Sequence, residues 1–499
     1  MRTTGTGPRR PHLTLTRVSR SPYDLATRRR GASMRTEIWL VTALFASGCI
    51  ATSAGHAGVR ETVRERLDRD VVFRDPASDG TVRPRVQTLL AEPLDAEAAV
   101  EIAILQSPGL QASLEQVDVA LADVLRATLL ANPDVELEAT FPVDGNAEPD
   151  LMGSFMFDLA DAMRMPLRRA VADAELSAAR AEAARAVLDL AFEVRVAFYR
   201  LQGDLQLVEL FLQVVETLRA GWETAEALRE AGNVPQLDVV QQRALYEESR
   251  IALAQAELAA LQSRERLQVL MGLSGEATTW EVASRLPDPA ESNPGLETIE
   301  QTAIERSLAL EQRRHRLEAL ARRVGLARVE GVIPALHVGV VAEREEGEWS
   351  VGPMVEMQLP LFHQGQGDID RVSAELRVEQ HRYVASAITV RSMVRRARNA
   401  YLNASARSRF YRETLLPLRE DVLAQSLLQY NAMNLGVFEL LTARRTLIDT
   451  ARQYVEALRD YWVARAVLEQ VLAGGQPEDL GDATVPMMTA SPTGGDGGH

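Results

Sequence analysis

Two acidic residues stand in matching places, Asp238 and Glu439, each just after a break between two helical patterns. A carboxylate there suits the positive N-terminal end of the following helix, which is worth under about 1 kcal/mol each. Little else has the spacing of a reaction centre. A Gly-rich phosphate loop with its Lys is ruled out, because all 55 basic residues are Arg. The seven His (12, 56, 315, 337, 363, 381 and 499) lack metal-ligand spacing, and nothing marks a Ser-His-Asp set. We therefore expect no catalytic residue, no metal site, no cofactor and no enzyme activity. Met152, Met156, Met163 and Met165 cluster in sequence; thioethers suit soft ions such as Cu(I), although Met on a lipid-facing or packing surface is far commoner.

The single thiol, Cys49, excludes both a disulfide framework and a thiolate cluster. It follows the apolar run Ile38 to Ala46 and the small pair Ser47-Gly48, an arrangement similar to a bacterial lipoprotein cleavage site. The run is too short to span a bilayer. We expect residues 1–48 to be a signal region whose true start is Met34, Cys49 to carry the lipid anchor, and 49–93 to be an extended polar segment. A formal net charge of −15 argues against a nucleic-acid partner, which would need a basic surface. Only 5% of residues are aromatic, and Ala, Leu, Glu, Arg and Gln dominate, which is the composition of long helices.

The two acidic residues belong to a larger duplication. Ala103-Ile104, Ser107 and Leu110 recur as Ala303-Ile304, Ser307 and Leu310; Pro133 recurs as Pro334, Tyr199 as Tyr401, and Gly272 as Gly474. The offset stays between 200 and 202, except at Pro166 and Pro360, where it is 194. A period this long means two copies of one supersecondary unit, 94–274 and 296–474. A Pro-rich linker (275–295) joins them, and a Gly/Pro/Asp-rich tail (475–499) follows.

Each copy opens with a helix, 95–130 or 296–328, with Ser107-Pro108 marking a possible restart in the first. The period then shifts to two. Val135, Leu137, Ala139, Phe141 and Val143 alternate with polar residues, and Leu151 to Asp158 returns. In the second copy Leu336, Val338 and Val340 share a face, and Trp349, Val351, Pro353, Val355, Met357 and Leu359 come back on it. Such alternation fits a half-buried hairpin or a lipid-facing barrel strand. Long helices follow over 170–231 and 372–431, near-free of Pro and spaced like a coiled coil. A short break comes next: Gly232-Asn233-Val234-Pro235 or Asn434-Leu435-Gly436. Return helices then run over 238–272 and 437–473.

Four strands cannot close a barrel. In lipid their open edges would leave backbone groups unpaired at several kcal/mol each, so the strands would have to be completed by further copies of the chain. A lipid-anchored periplasmic coiled-coil scaffold or adaptor is the competing architecture.

Leu94 to Ala103, Leu359-Pro360-Leu361-Phe362 with Gly365, and Tyr430 through Asn434-Leu435-Gly436-Val437-Phe438-Glu439-Leu440-Leu441 resemble the TolC-like outer-membrane efflux proteins. The resemblance spans roughly Leu94 to Gly474. It implies a mostly helical homotrimer whose twelve strands form one outer-membrane barrel in a Gram-negative bacterium, continued by a periplasmic helical tunnel. It also implies partnership with a periplasmic adaptor (membrane fusion protein) and an inner-membrane pump, in a passive exit duct of a tripartite efflux system. On that resemblance Glu439 and Asp238 would constrict the pore, where clustered carboxylates raise one another's pKa. Gly232, Asn233, Val234, Asn434, Leu435 and Gly436 would meet the adaptor, while Leu336, Val338, Val340, Val351, Val355 and Met357 would face lipid. The chain departs from the family pattern at Met433 (usually Gly), at Thr442 (often acidic) and at Met165-Pro166-Leu167-Arg168, which stands where the strand-to-helix joint usually has Pro-Leu-Phe.

Overall fold

A computed structural model describes residues 53–73, 79–141, 149–283, 285–289, 298–345 and 348–477. Cys49, the signal region and nearly all of the tail lie outside them.

The segment expected to be extended holds two helices, α1 (Ser53–Leu67) and α2 (Asp79–Leu90). The reason is apolar spacing hidden in a polar background. Val59 and Val63, then Val82 and Val86, stand four residues apart and are fully buried against the first copy's helices.

The opening helix of each copy is broken in two: α3 (Ala96–Gln106) with α4 (Pro108–Thr128), and α7 (Ile299–Arg306) with α8 (Leu308–Val332). The break expected from Ser107-Pro108 is present. The same break in the second copy was not foreseen, because Leu308 replaces the proline. In both, the serine hydroxyl is the cap, accepting from the Leu110 amide at 3.4 Å and from the Leu310 amide at 3.3 Å.

Hairpins follow: β1 (Asp134–Thr140) with β2 (Asp150–Asp158), and β3 (Leu336–Glu345) with β4 (Glu348–Met357). They join through β2 and β3 into one antiparallel sheet in the order β1-β2-β3-β4. The two copies thus share a sheet whose outer strands, β1 and β4, are unpaired edges.

The first long helix, α5 (Leu159–Glu230), begins eleven residues before the expected 170 and carries Pro166 inside it. Asp158 caps it by accepting from the Asp161 amide at 2.9 Å. Its 72 residues reach about 108 Å at roughly 1.5 Å each. The second copy instead breaks its long helix into α9 (Gln366–Phe410), a π turn (Tyr411–Leu415) and α10 (Leu416–Asn431). Pro417 supplies the reason: with no N–H it leaves a carbonyl one turn back unpaired, and a wider turn absorbs the mismatch. Return helices α6 (Gln236–Met271) and α11 (Val437–Ala473) run back along them.

The long helices form one layer in which α5 lies between α6 and α11, and α11 packs on α9 and α10. The expected linker is partly inlaid in this layer. Trp280 and Leu286 are buried, the Leu94 amide donates to the Glu281 carbonyl, and the Trp462 indole N–H donates to the Pro287 carbonyl.

Candidate functional site

The sheet sorts its residues by face. Pairing places Val135 opposite Phe155, Phe155 opposite Val340, and Val340 opposite Pro353; the neighbouring rows align Leu137, Gly153, Ala342 and Val351, and Phe157, Val338 and Val355. All six residues expected to face lipid (Leu336, Val338, Val340, Val351, Val355 and Met357) fall on this one apolar face. Trp349 and Pro353, expected on the same face, fall on it too, and the structure adds Phe155 and Phe157. Period-two alternation carried that signal in both copies, but only cross-strand register shows that the four stripes merge.

The opposite face carries Glu136, Glu138, Ser154, His337, Glu343 and Glu356. Both faces are open to a similar degree: Glu136, Glu138, Glu343 and Glu356 are exposed on one, and Val135, Leu137, Phe155, Val340, Val351 and Val355 on the other, with Ser154 the buried residue of the polar face. A sheet with one apolar and one charged face has the polarity of a wall between hydrocarbon and water. Among the described residues no helix is long and apolar enough to cross a membrane.

At the far end of the long helices lie the two turns. Gly232 adopts φ +78°, and the Asn233 amide donates to the Leu228 carbonyl at 2.9 Å. The second copy repeats this bond, from the Asn434 amide to the Gln429 carbonyl at 2.9 Å, but with Met433 at φ +63°. Gly232, Asn233, Asn434 and Gly436 are exposed, and Val234 and Leu435 half-buried. Asp238 and Glu439 each occupy the third residue of a helix whose N-cap side chain makes no capping bond. The Glu439 carboxylate folds back over its own helix start, with Oε2 2.6 Å from the point a Cβ on Gly436 would take. Within one protomer Glu439 therefore faces its own helix N-terminus, and Asp238 holds the equivalent position on α6.

The unusual Met165-Pro166-Leu167-Arg168 joint has its own logic. Arg168 pairs closely with Asp161, which also accepts from the Ala131 amide at 3.2 Å. The hydrogen bond from Arg168 holds the Asp161 carboxyl below its ordinary range. Asp161, held by Arg168 within α5, thus ties the entry of β1 to the start of that helix through the Ala131 amide. In the second copy the corresponding Phe362 is 95% exposed, and the joint bends at Gly365.

Further along, burial and the neighbouring Tyr461 push the Tyr401 hydroxyl up to about 12. Arg444, half-buried beside Gly221 and Gln242, is shifted down by desolvation. No three His, Cys, Asp or Glu side chains among the described residues converge as a metal site.

This arrangement has relatives. The family model described as outer membrane efflux protein matches residues 99–273, which is the first copy. The cobalt-zinc-cadmium resistance protein CzcC of Cupriavidus metallidurans is 23% identical over 392 residues, covering 77% of this chain and 90% of that protein. Among solved structures, CusC, whose crystal structures address transmembrane channel formation, superposes with a TM-score of 0.65 at 16% identity, over 79% of this chain and 92% of that one. VceC, an outer membrane protein of Vibrio cholerae, superposes with a TM-score of 0.64 at 16% identity, over 76% and 96%. The first copy thus carries the sequence pattern of the outer membrane efflux protein family, and the chain as a whole shares the fold of these proteins.

Proposed function

We infer that this chain is the outer-membrane channel component of a tripartite efflux system, acting as a ring of three copies. One observation carries the reading: sheet and helical layer each end in the first copy on one side and in the second copy on the other. The first copy contributes the β1 edge and the outer helix α6; the second contributes the β4 edge and α9–α10. Apolar side chains stand exposed on those outer helices, including Ile251, Leu258 and Leu261 on α6, and Val384 and Ile388 on α9. A surface that differs at its two ends closes head to tail, as a ring. Closure pairs every strand edge and buries both helical stripes in one step. A non-spanning scaffold would have no use for the exposed apolar sheet face.

Within such a ring Asp238 and Glu439 would line the mouth, and the turns around Gly232–Val234 and Asn434–Gly436 would meet a periplasmic adaptor leading to an inner-membrane pump. Lipid on Cys49 would add an anchor. CzcC's name and the acidic mouth support cations as cargo.

Cysteine cross-linking tests the ring. Inside one chain β1 and β4 are separated by two strands, about 14 Å at ~4.8 Å per step, which is beyond disulfide reach. Leu137→Cys combined with Val351→Cys, Pro353→Cys or Val355→Cys should, in at least one pairing, give oxidised species that stop at the trimer. Monomers under oxidising conditions in every pairing, from membranes or detergent, would refute the closure.

A further inference from the structure

The polar face of the sheet carries three side chains that can donate to soft cations, two thioethers and an imidazole, contributed by three strands. Met156 on β2 and Met354 on β4 lie opposite the same residue of β3, Gly339. Gly339 sits tight against β2: a Cβ there would come within 2.1 Å of the Phe155 carbonyl oxygen, 2.9 Å of the Met156 Cα and 3.0 Å of the Met156 Cγ, so the residue between the two methionines carries no side chain to separate them. His337 is on the same face two residues before Gly339. It is paired with Asp158 on one side and Glu356 on the other, and is thus diagonal to both methionines. Its Nδ1 is buried and has no hydrogen-bond partner. A buried imidazole nitrogen left unsatisfied in a native fold calls for an explanation.

We propose that Met156, Met354 and His337 form a site for a soft monovalent cation, Cu(I) or Ag(I), on the polar face of the sheet. Two thioethers and an imidazole are donors that select such ions and offer little to Mg²⁺, Ca²⁺ or Mn²⁺. The usual reason for methionine in a membrane strand, contact with lipid or core, does not apply here. Both residues share their face with Glu136, Glu138 and Glu356 and lie opposite the apolar stripe. Acidic residues on that face raise the local concentration of cations, and the neutral thioethers sort them by softness. The site is contained in one chain, so binding needs no ring. Its meaning as a step on an export path rests on the channel reading above.

Silver binding to the full chain in detergent tests the site, with nitrate as the counter-ion and any free Cys49 thiol alkylated first. The wild type should bind one Ag(I) per chain most tightly. Met156→Leu/Met354→Leu together should weaken that association at least tenfold, and His337→Asn should weaken it several-fold. Met152→Leu, two residues further along β2 on the same face, is the control and should leave it unchanged. These replacements keep side-chain volume nearly constant, and circular dichroism checks that each variant is folded. Unaltered silver affinity in the double variant, or an equal loss in Met152→Leu, would overturn the assignment. Conductance across planar bilayers separates the two readings: a wild type that opens no channel defeats the duct, whereas variants that conduct normally but keep full silver affinity defeat only the site.

Discussion

Met433 is the residue with the least comfortable backbone in the described chain. It occupies the left-handed region at φ +63°, is 93% exposed, and repeats the geometry that Gly232 adopts at φ +78°. A non-glycine residue in that region costs on the order of 1–2 kcal/mol, and exposure means no packing offsets it. Met433→Gly should therefore stabilise the fold by up to about 1 kcal/mol, after allowing for the larger unfolded-state entropy of glycine. Chemical denaturation would register this as a higher midpoint at constant slope. A lower midpoint would mean that the Met433 side chain has a partner in the assembly. The sequence made this position visible as a departure from the family pattern, although the backbone angle itself could not be read from it. Arg168 was visible in the same way. Its partner Asp161, seven residues earlier, was hidden because the joint was expected to be non-helical.

Helices and strands were legible in proportion to how periodic they are. The duplication, both hairpins, both tip turns and the return helices follow from spacing alone. Four features did not: α1 and α2, the early start of α5, the break at Ser307, and the π turn before Pro417. The start of α5 and the π turn have local causes, whereas for α1, α2 and Ser307 the deciding contact comes from a distant part of the chain, such as valines meeting helices of the first copy. The break at Ser307 has a clear tertiary cause. Gly474, at the end of α11, presses on it: a Cβ there would come within 2.0 Å of the Arg306 carbonyl oxygen, and the Leu308 amide donates to the Gly474 carbonyl. Gly272 presses on the first copy's break in the same way, with 2.8 Å to the Gln106 carbonyl oxygen. Gly275 offers a matched comparison, since it has a similar φ of +63° but nothing within 4 Å. Gly275→Ala should cost only the backbone strain, about 1–2 kcal/mol. Gly272→Ala should cost at least about 1 kcal/mol more, because two helices must also part. Equal thermal midpoints for the two variants would show that the close approach carries no stability.

At the scale of the assembly, electrostatics concentrates at the mouth. A single chain leaves Glu439 exposed at the start of α11. Three copies around an axis would bring three such carboxylates together, with Asp238 in the equivalent place on α6. Glu439→Gln should reduce cation preference, seen as a reversal potential moving toward zero in a salt gradient, while stability changes by under about 1 kcal/mol, the scale of a helix-terminus interaction. An unchanged reversal potential would leave Glu439 as a helix-end residue alone.

The glycines that close each copy onto its own beginning have one more implication. A half that returns to its starting point is closed on itself, so the shared sheet and the inlaid linker, bonded to Leu94 in one half and to Trp462 in the other, fix how the two halves meet. What the fusion permits is divergence: one half keeps an unbroken stave pinned by Arg168, while the other holds a π turn before Pro417 and a strained methionine at its tip.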